Sequence, residues 1–211
     1  ESLAPGASCY SKGAVGLSLE SLNIGVCGVG TVGLATMDIL MRQARVLEAR
    51  SGKSMNLVHV GARREHPDHD YGDARVSRDV MALAEDPEID VLVELIGGTS
   101  AAYDLIKRAI QQGKHIVTAN KALIAEHGNE LIALAEASGV QFRFEAAVAG
   151  GIPIIKALRE SMAGNEVTEV AGIINGTGNF ILTEMSTKGR AFDEVLACLL
   201  YTSPSPRDTL L

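Results

Sequence analysis

From residue 22 onward the chain alternates short apolar runs with longer stretches of helical period. The apolar runs predict strands over residues 22–27, 56–62, 91–96, 115–118 and 140–146. Apolar positions three and four apart predict helices over 31–50, 79–85, 101–112 and 128–138. Strands alternating with helices imply an α/β fold, a doubly wound parallel sheet with helices on both faces. Gly113 and Gly139 each fall between a helix and a strand, where a left-handed helix end is expected. The pattern changes at Ala149-Gly-Gly-Ile-Pro. Beyond it a helix is predicted over 153–162, a strand over 166–175, and helices over 178–188 and 192–200, the beginning of a second, α+β domain.

The first strand runs into Gly28, Gly30 and Gly33, spaced G-x-G-x-x-G and followed by helical sequence. In that setting each glycine has a task in holding a dinucleotide. Gly28 makes the tight turn, Gly30 admits a pyrophosphate, and Gly33 lets helix and strand pack closely. The anion would rest at the helix N-terminus formed by Thr31 and Val32. The expected ligand is therefore NAD(P).

Composition narrows the setting. A hydrophobic content of 46% over 211 residues is enough for a buried core. A net charge of −7 argues against a general nucleic-acid surface. No apolar stretch approaches the ~20 residues that span a bilayer, and no membrane partner is expected. Cys9, Cys27 and Cys198 have no metal-ligand spacing, and Cys27 reads as a small buried hydrophobe. A reduced, cytoplasmic setting follows. Residues 1–21, rich in Gly, Ser and Ala, read as a disordered leader. Residues 201–211, with two prolines, read as a non-native or disordered tail.

Ligands of open parallel sheets sit at the carboxyl ends of the strands. After the second strand come Arg63 and Arg64, which suit a 2′-phosphate and point to NADP; alternatively they are solvated charges, and Glu65 could serve a ribose. After the third parallel strand, Thr99 supplies a hydroxyl near the nicotinamide half or caps the following helix. Glu94, inside a very apolar strand, needs a partner or a polar site. After the fourth comes Lys121, a candidate proton handler or carbonyl clamp, or else an ordinary surface lysine.

Five segments together resemble homoserine dehydrogenase of the proteobacterial kind. They are Asn23-Ile-Gly-Val-Cys-Gly-Val-Gly-Thr-Val-Gly, Val93-Glu-Leu-Ile-Gly-Gly-Thr and Gly113-Lys-His-Ile-Val-Thr-Ala-Asn-Lys-Ala-Leu-Ile-Ala. The other two are Phe144-Glu-Ala-Ala-Val-Ala-Gly-Gly-Ile-Pro-Ile-Ile-Lys-Ala-Leu and Ile173-Ile-Asn-Gly-Thr-Gly-Asn-Phe-Ile-Leu-Thr-Glu-Met. The resemblance covers residues 22–200. It implies an NAD(P)-binding domain over 22–149 and part of a catalytic domain over 150–200. The implied activity is NAD(P)-dependent interconversion of L-homoserine and L-aspartate 4-semialdehyde, on the route to threonine, methionine and isoleucine.

By matching position, the resemblance implies that Lys121 contacts cofactor and substrate and moves the hydroxyl proton. Glu184 would meet the substrate ammonium. Asn175, Gly176, Thr177 and Gly178 would line the nicotinamide and substrate pocket. A monovalent cation such as sodium would be held at Glu145, Val148, Gly150 and Ile152, although the glycines there equally suit a plain turn. Full-length relatives would be homo-oligomers. The family's acidic, Asp-rich stretch and second lysine do not follow Leu200 here, so weak activity or none is expected. The other reading is a non-catalytic NADP-binding fragment.

Overall fold

The structure is a computed structural model that describes residues 21–63, 69–173 and 176–202. The leader up to residue 20, Arg64, Glu65, Asn175 and the tail from residue 203 fall outside the described residues. Two compact units divide the chain, residues 1–155 and 156–211.

The first unit is built on six parallel strands in the order β3-β2-β1-β4-β5-β6. They are β1 (Ser21–Cys27), β2 (Ser54–Gly61), β3 (Arg75–Ser77), β4 (Val91–Glu94), β5 (His115–Thr118) and β6 (Phe142–Arg143). The central strands are apolar on both faces because helices cover both. Val26 of β1 sits between Val60 of β2 and Val93 of β4. Side chains of successive residues point to opposite faces. Ile24, Val26 and Val93 pack with Met37 on one side, while Cys27, Leu92 and Ile116 join the core of Leu105, Ile106 and Leu123 on the other.

The helices are α1 (Thr31–Arg42), α2 (Ala44–Ser51), α3 (Met81–Glu85), α4 (Ser100–Gln111) and α5 (Lys121–Ala137). The predicted helix over 31–50 is two helices, broken at Gln43, where ψ turns to 17°. Helix α5 starts seven residues before the predicted 128. Asn120 caps it by accepting from the Leu123 N–H at 3.1 Å, and Gly128 lies buried within the helix rather than opening it. The predicted strand over 140–146 pairs only at Phe142–Arg143, then turns through a 3₁₀ helix at Glu145–Ala147. Gly113 and Gly139 take the expected left-handed conformation, with φ of 77° and 68°.

The division between the units falls in α6 (Ile154–Lys156), which continues as a π-helical turn over Ala157–Ser161. The second unit then has α7 (Gly176–Lys188) and α8 (Phe192–Thr202). The strand predicted over 166–175 is not formed in residues 166–173, which are exposed and irregular. A strand needs a neighbour to receive its backbone hydrogen bonds, and none is present among the described residues of this unit. No described helix is long and apolar enough to cross a membrane.

Candidate functional site

Strand order reverses between β1 and β4, since β1 leads outward to β2 and β3 while β4 leads to β5 and β6. The crevice at the carboxyl ends of these two strands is the place where such sheets accept nucleotides. Four sequence-predicted features lie just past the carboxyl ends of β1, β2, β4 and β5.

Gly28 leaves β1 with φ of +111°, and its N–H donates to the Gly61 carbonyl at 2.8 Å. A Cβ at Gly28 would stand 2.5 Å from the Leu95 carbonyl oxygen, so only glycine fits. A Cβ at Gly33 would stand 1.9 Å from the Gly28 oxygen; this contact is what seats α1 on the turn. Gly30 is different, because a Cβ there would meet nothing within 4 Å. It caps α1 without a side-chain acceptor, and no acidic residue occupies the first turn. Thr31 and Val32 beside it are exposed. The turn thus combines a crowded base with an open mouth of helix N–H groups that an anion satisfies. These residues fit a dinucleotide pyrophosphate.

Arg63 is exposed just past the end of β2. Thr99 caps α4 by position, yet its hydroxyl makes no capping hydrogen bond. Lys121 is exposed on the first turn of α5, immediately after β5 and its following Ala119-Asn120 link.

Behind these groups lies a buried polar network. Glu94, at the end of β4, has 0% exposure. Its Oε1 accepts from the N–H groups of Ile96 at 2.9 Å and Gly97 at 3.3 Å, and its Oε2 from the Thr118 hydroxyl at 2.6 Å. Thr118 Oγ1 in turn accepts from the Asn120 N–H at 3.0 Å. The Asn120 amide donates to the Gly98 carbonyl at 2.6 Å. That Glu94 needs a partner is visible in the sequence, but its partners are not; an Asn just ahead of Lys-Ala-Leu-Ile signals the helix cap at Asn120, while nothing local points to Thr118. Cys27 is buried as expected, and burial, with Glu94 nearby, pushes its thiol well above the ordinary range. It is an inert core residue rather than a nucleophile.

The segment assigned to a monovalent cation follows β6. Glu145 opens the 3₁₀ turn, and its carboxylate accepts from the Ile155 N–H at 2.9 Å. Val148, Gly150 and Ile152 lie on irregular backbone in which Ala149 has φ of 48° and Gly151 of 82°. Carbonyl oxygens on irregular backbone are hard donors of the kind such a cation takes. Among the described residues no cluster of His, Cys, Asp or Glu offers another metal site.

In the second unit, Gly176, Thr177 and Gly178 form the first turn of α7, two residues earlier than predicted. Glu184 lies further along the same helix and is buried. Its carboxylate already holds two cations, Lys188 at 2.7 Å and Arg190 at 3.2 Å. The Lys188 hydrogen bond, then Arg190, hold its carboxyl below the usual glutamate range against the opposing effect of burial. Both oxygens of Glu184 are thus occupied, one by the Lys188 ammonium and the other by the Arg190 guanidinium.

A parallel sheet in this order, with an open glycine turn at its switch point, defines a dinucleotide-binding α/β protein. Residues 28–145 match the family model described as the homoserine dehydrogenase NAD-binding domain, and residues 153–207 match the homoserine dehydrogenase model. The chain belongs to the homoserine dehydrogenase family. It is 52% identical over 179 residues to homoserine dehydrogenase of Pseudomonas aeruginosa, covering 85% of this chain and 41% of that protein. A crystal structure of a homoserine dehydrogenase from Thiobacillus denitrificans superposes with a TM-score of 0.77 at 46% identity, covering 88% of this chain and 44% of that one. A hyperthermophilic archaeal homoserine dehydrogenase in complex with NADPH superposes with a TM-score of 0.69 at 26% identity, covering 85% and 60%. The chain thus spans less than half the length of the Pseudomonas relative.

Proposed function

We propose that the chain carries the nucleotide-binding part (22–149) and the beginning of the catalytic part (150–200) of an enzyme that interconverts L-homoserine and L-aspartate 4-semialdehyde. The observation that carries this reading is the open Gly30 mouth at the switch point, in a chain of this family. The nicotinamide cofactor, NADP or NAD, supplies hydride transfer when bound. Gly28, Gly30, Thr31, Val32 and Gly33 bind its pyrophosphate. Arg63 favours the 2′-phosphate of NADP, in keeping with the NADPH held by the archaeal relative. Thr99 and Gly178 orient the nicotinamide side.

Lys121 holds the substrate oxygen and moves its proton, the role its position after β5 and its solvent access suit. Glu184 takes the substrate ammonium in exchange for Lys188, and Asn175, Gly176 and Thr177 complete that pocket. Glu145, Val148, Gly150 and Ile152 hold sodium or a similar cation. The enzyme acts in the cytoplasm, in threonine, methionine and isoleucine biosynthesis, and the full-length protein is a homo-oligomer.

A second reading, NADP binding without catalysis, is favoured by Glu184, whose carboxylate is already held by Lys188 and Arg190. Semialdehyde-dependent oxidation of NADPH separates the two. On the first reading the chain turns over slowly and Lys121→Ala lowers the rate by about 10²–10⁴-fold. NADPH binding with no semialdehyde-dependent oxidation supports the second; turnover indifferent to Lys121→Ala contradicts the role given to that lysine.

A further inference from the structure

Glu94 is the most deeply buried charged side chain at the crevice, and the proposed chemistry gives it no task. One of its oxygens holds the loop after β4 through the N–H groups of Ile96 and Gly97. The other holds Thr118, whose hydroxyl oxygen takes the Asn120 N–H at the start of α5. Asn120 closes the circuit by bonding the Gly98 carbonyl on the same loop and capping α5 at Leu123. The loop also abuts the glycine turn, since Leu95 N donates to the Cys27 carbonyl at 2.8 Å and the Leu95 oxygen limits Gly28.

We infer that Glu94 is a positioning residue: its buried carboxylate locks the loop at 96–98 to the start of α5, and so fixes Lys121 relative to the nicotinamide half of the cofactor. This rests on the assignment of the crevice to NAD(P). The physical ground is that a carboxylate is the one side chain that accepts from two backbone N–H groups and a hydroxyl at once. A glutamine cannot do so. Its oxygen can keep the loop N–H groups, but its amide then faces Thr118, whose own hydrogen loses its acceptor. Buried groups left unpaired are costly, so the loop and helix start would shift to relieve the defect.

The test uses the 211-residue chain and two probes, NADPH and 2′-phospho-ADP-ribose, which differs from it by the nicotinamide alone. Glu94→Gln should weaken NADPH binding about tenfold and leave 2′-phospho-ADP-ribose within about twofold, the size expected of one mispaired buried hydrogen bond. Thr118→Val, which at similar volume removes the hydroxyl link to α5 and leaves only the Asn120 amide on Gly98 and, at 3.5 Å, on Glu94, should reproduce that pattern, and Thr118→Ser should restore it. The effects of Glu94→Gln and Lys121→Met on NADPH affinity should be less than additive, because the first displaces what the second removes. A role confined to stability lowers the melting temperature with both ligands affected equally or not at all, and that result overturns the inference, as does strict additivity with Lys121→Met. If the unmutated chain binds neither ligand, the assignment of the crevice to NAD(P) fails, and the inference with it.

Discussion

Leu105 in α4 and Leu182 in α7 sit on helices of 12 and 13 residues, yet the first has 0% exposure and the second 68%. The contrast extends to the units that contain them. In the first, strands buried on both faces and the helices packed on them take up most of the large apolar side chains, with Val32, Ile39 and Val46 among those left exposed. In the second, only Glu184, Val195 and Leu199 are buried among the described residues, and Ile173 is 75% exposed. Helix propensity is enough to place α7 and α8, but stability comes from burying a face. The first unit has what a nucleotide site requires, a rigid edge. The second holds its one buried carboxylate by ion pairs rather than by a core.

The sharpest way to break that comparison is a matched truncation. Leu105→Ala should destabilise the chain by about 2–5 kcal/mol, whereas Leu182→Ala should stay within about 0.5 kcal/mol, as read from denaturant midpoints. Equal effects would mean that the second unit has a core of its own. Next in size, Gly33→Ala drives a Cβ into the Gly28 carbonyl and should cost about 1–3 kcal/mol together with nucleotide binding.

A third test concerns the buried pair at the other end of the sheet. Burial alone would raise the Asp86 carboxyl, but the Glu88 N–H, the His59 ring and the Arg75 guanidinium outweigh it and hold it below the ordinary aspartate range. Its contribution is thus present above the unfolded value of ~3.9 and lost as pH falls through the lower folded value. Asp86→Ala should cost about 1–3 kcal/mol at neutral pH, the lower part of the range because Arg75 is half exposed, and the cost should shrink below pH ~4 in thermal melts. The smallest effect is expected from Leu182→Glu, which should leave melting unchanged within about 0.5 kcal/mol while reducing self-association at sedimentation equilibrium, since it breaks an exposed apolar face.

The same contrast decides what could be read from the sequence. Strands β1 and β5 are legible because continuous apolar runs between glycine signals have few other solutions. Strand β3, only Arg75–Ser77, is too short to carry a pattern and exists because β2 offers an edge. The break at Gln43 leaves no trace, since its neighbours are ordinary helix formers. The expected helix over 128–138 begins seven residues late because Gly128 reads as a boundary, while Asn120 marks the cap of α5. The strand expected over 166–175 has the β-branched composition of one in Val167, Thr168, Val170 and Ile173, but their spacing is not the two-residue alternation of a strand and no described neighbour pairs with it. At the site, the glycine turn and Lys121 were legible as residue types in order. The Glu94–Thr118–Asn120 circuit was not, because it joins strands 24 residues apart in sequence.

In the proposed site Gly30 is the open side of the dinucleotide cradle. Titrating NADPH into the unmutated chain and into Gly30→Val, with melting curves for both, addresses it directly. Saturable binding that Gly30→Val abolishes without lowering the melting temperature is the predicted result. Undiminished binding by Gly30→Val would place the nucleotide elsewhere and contradict it.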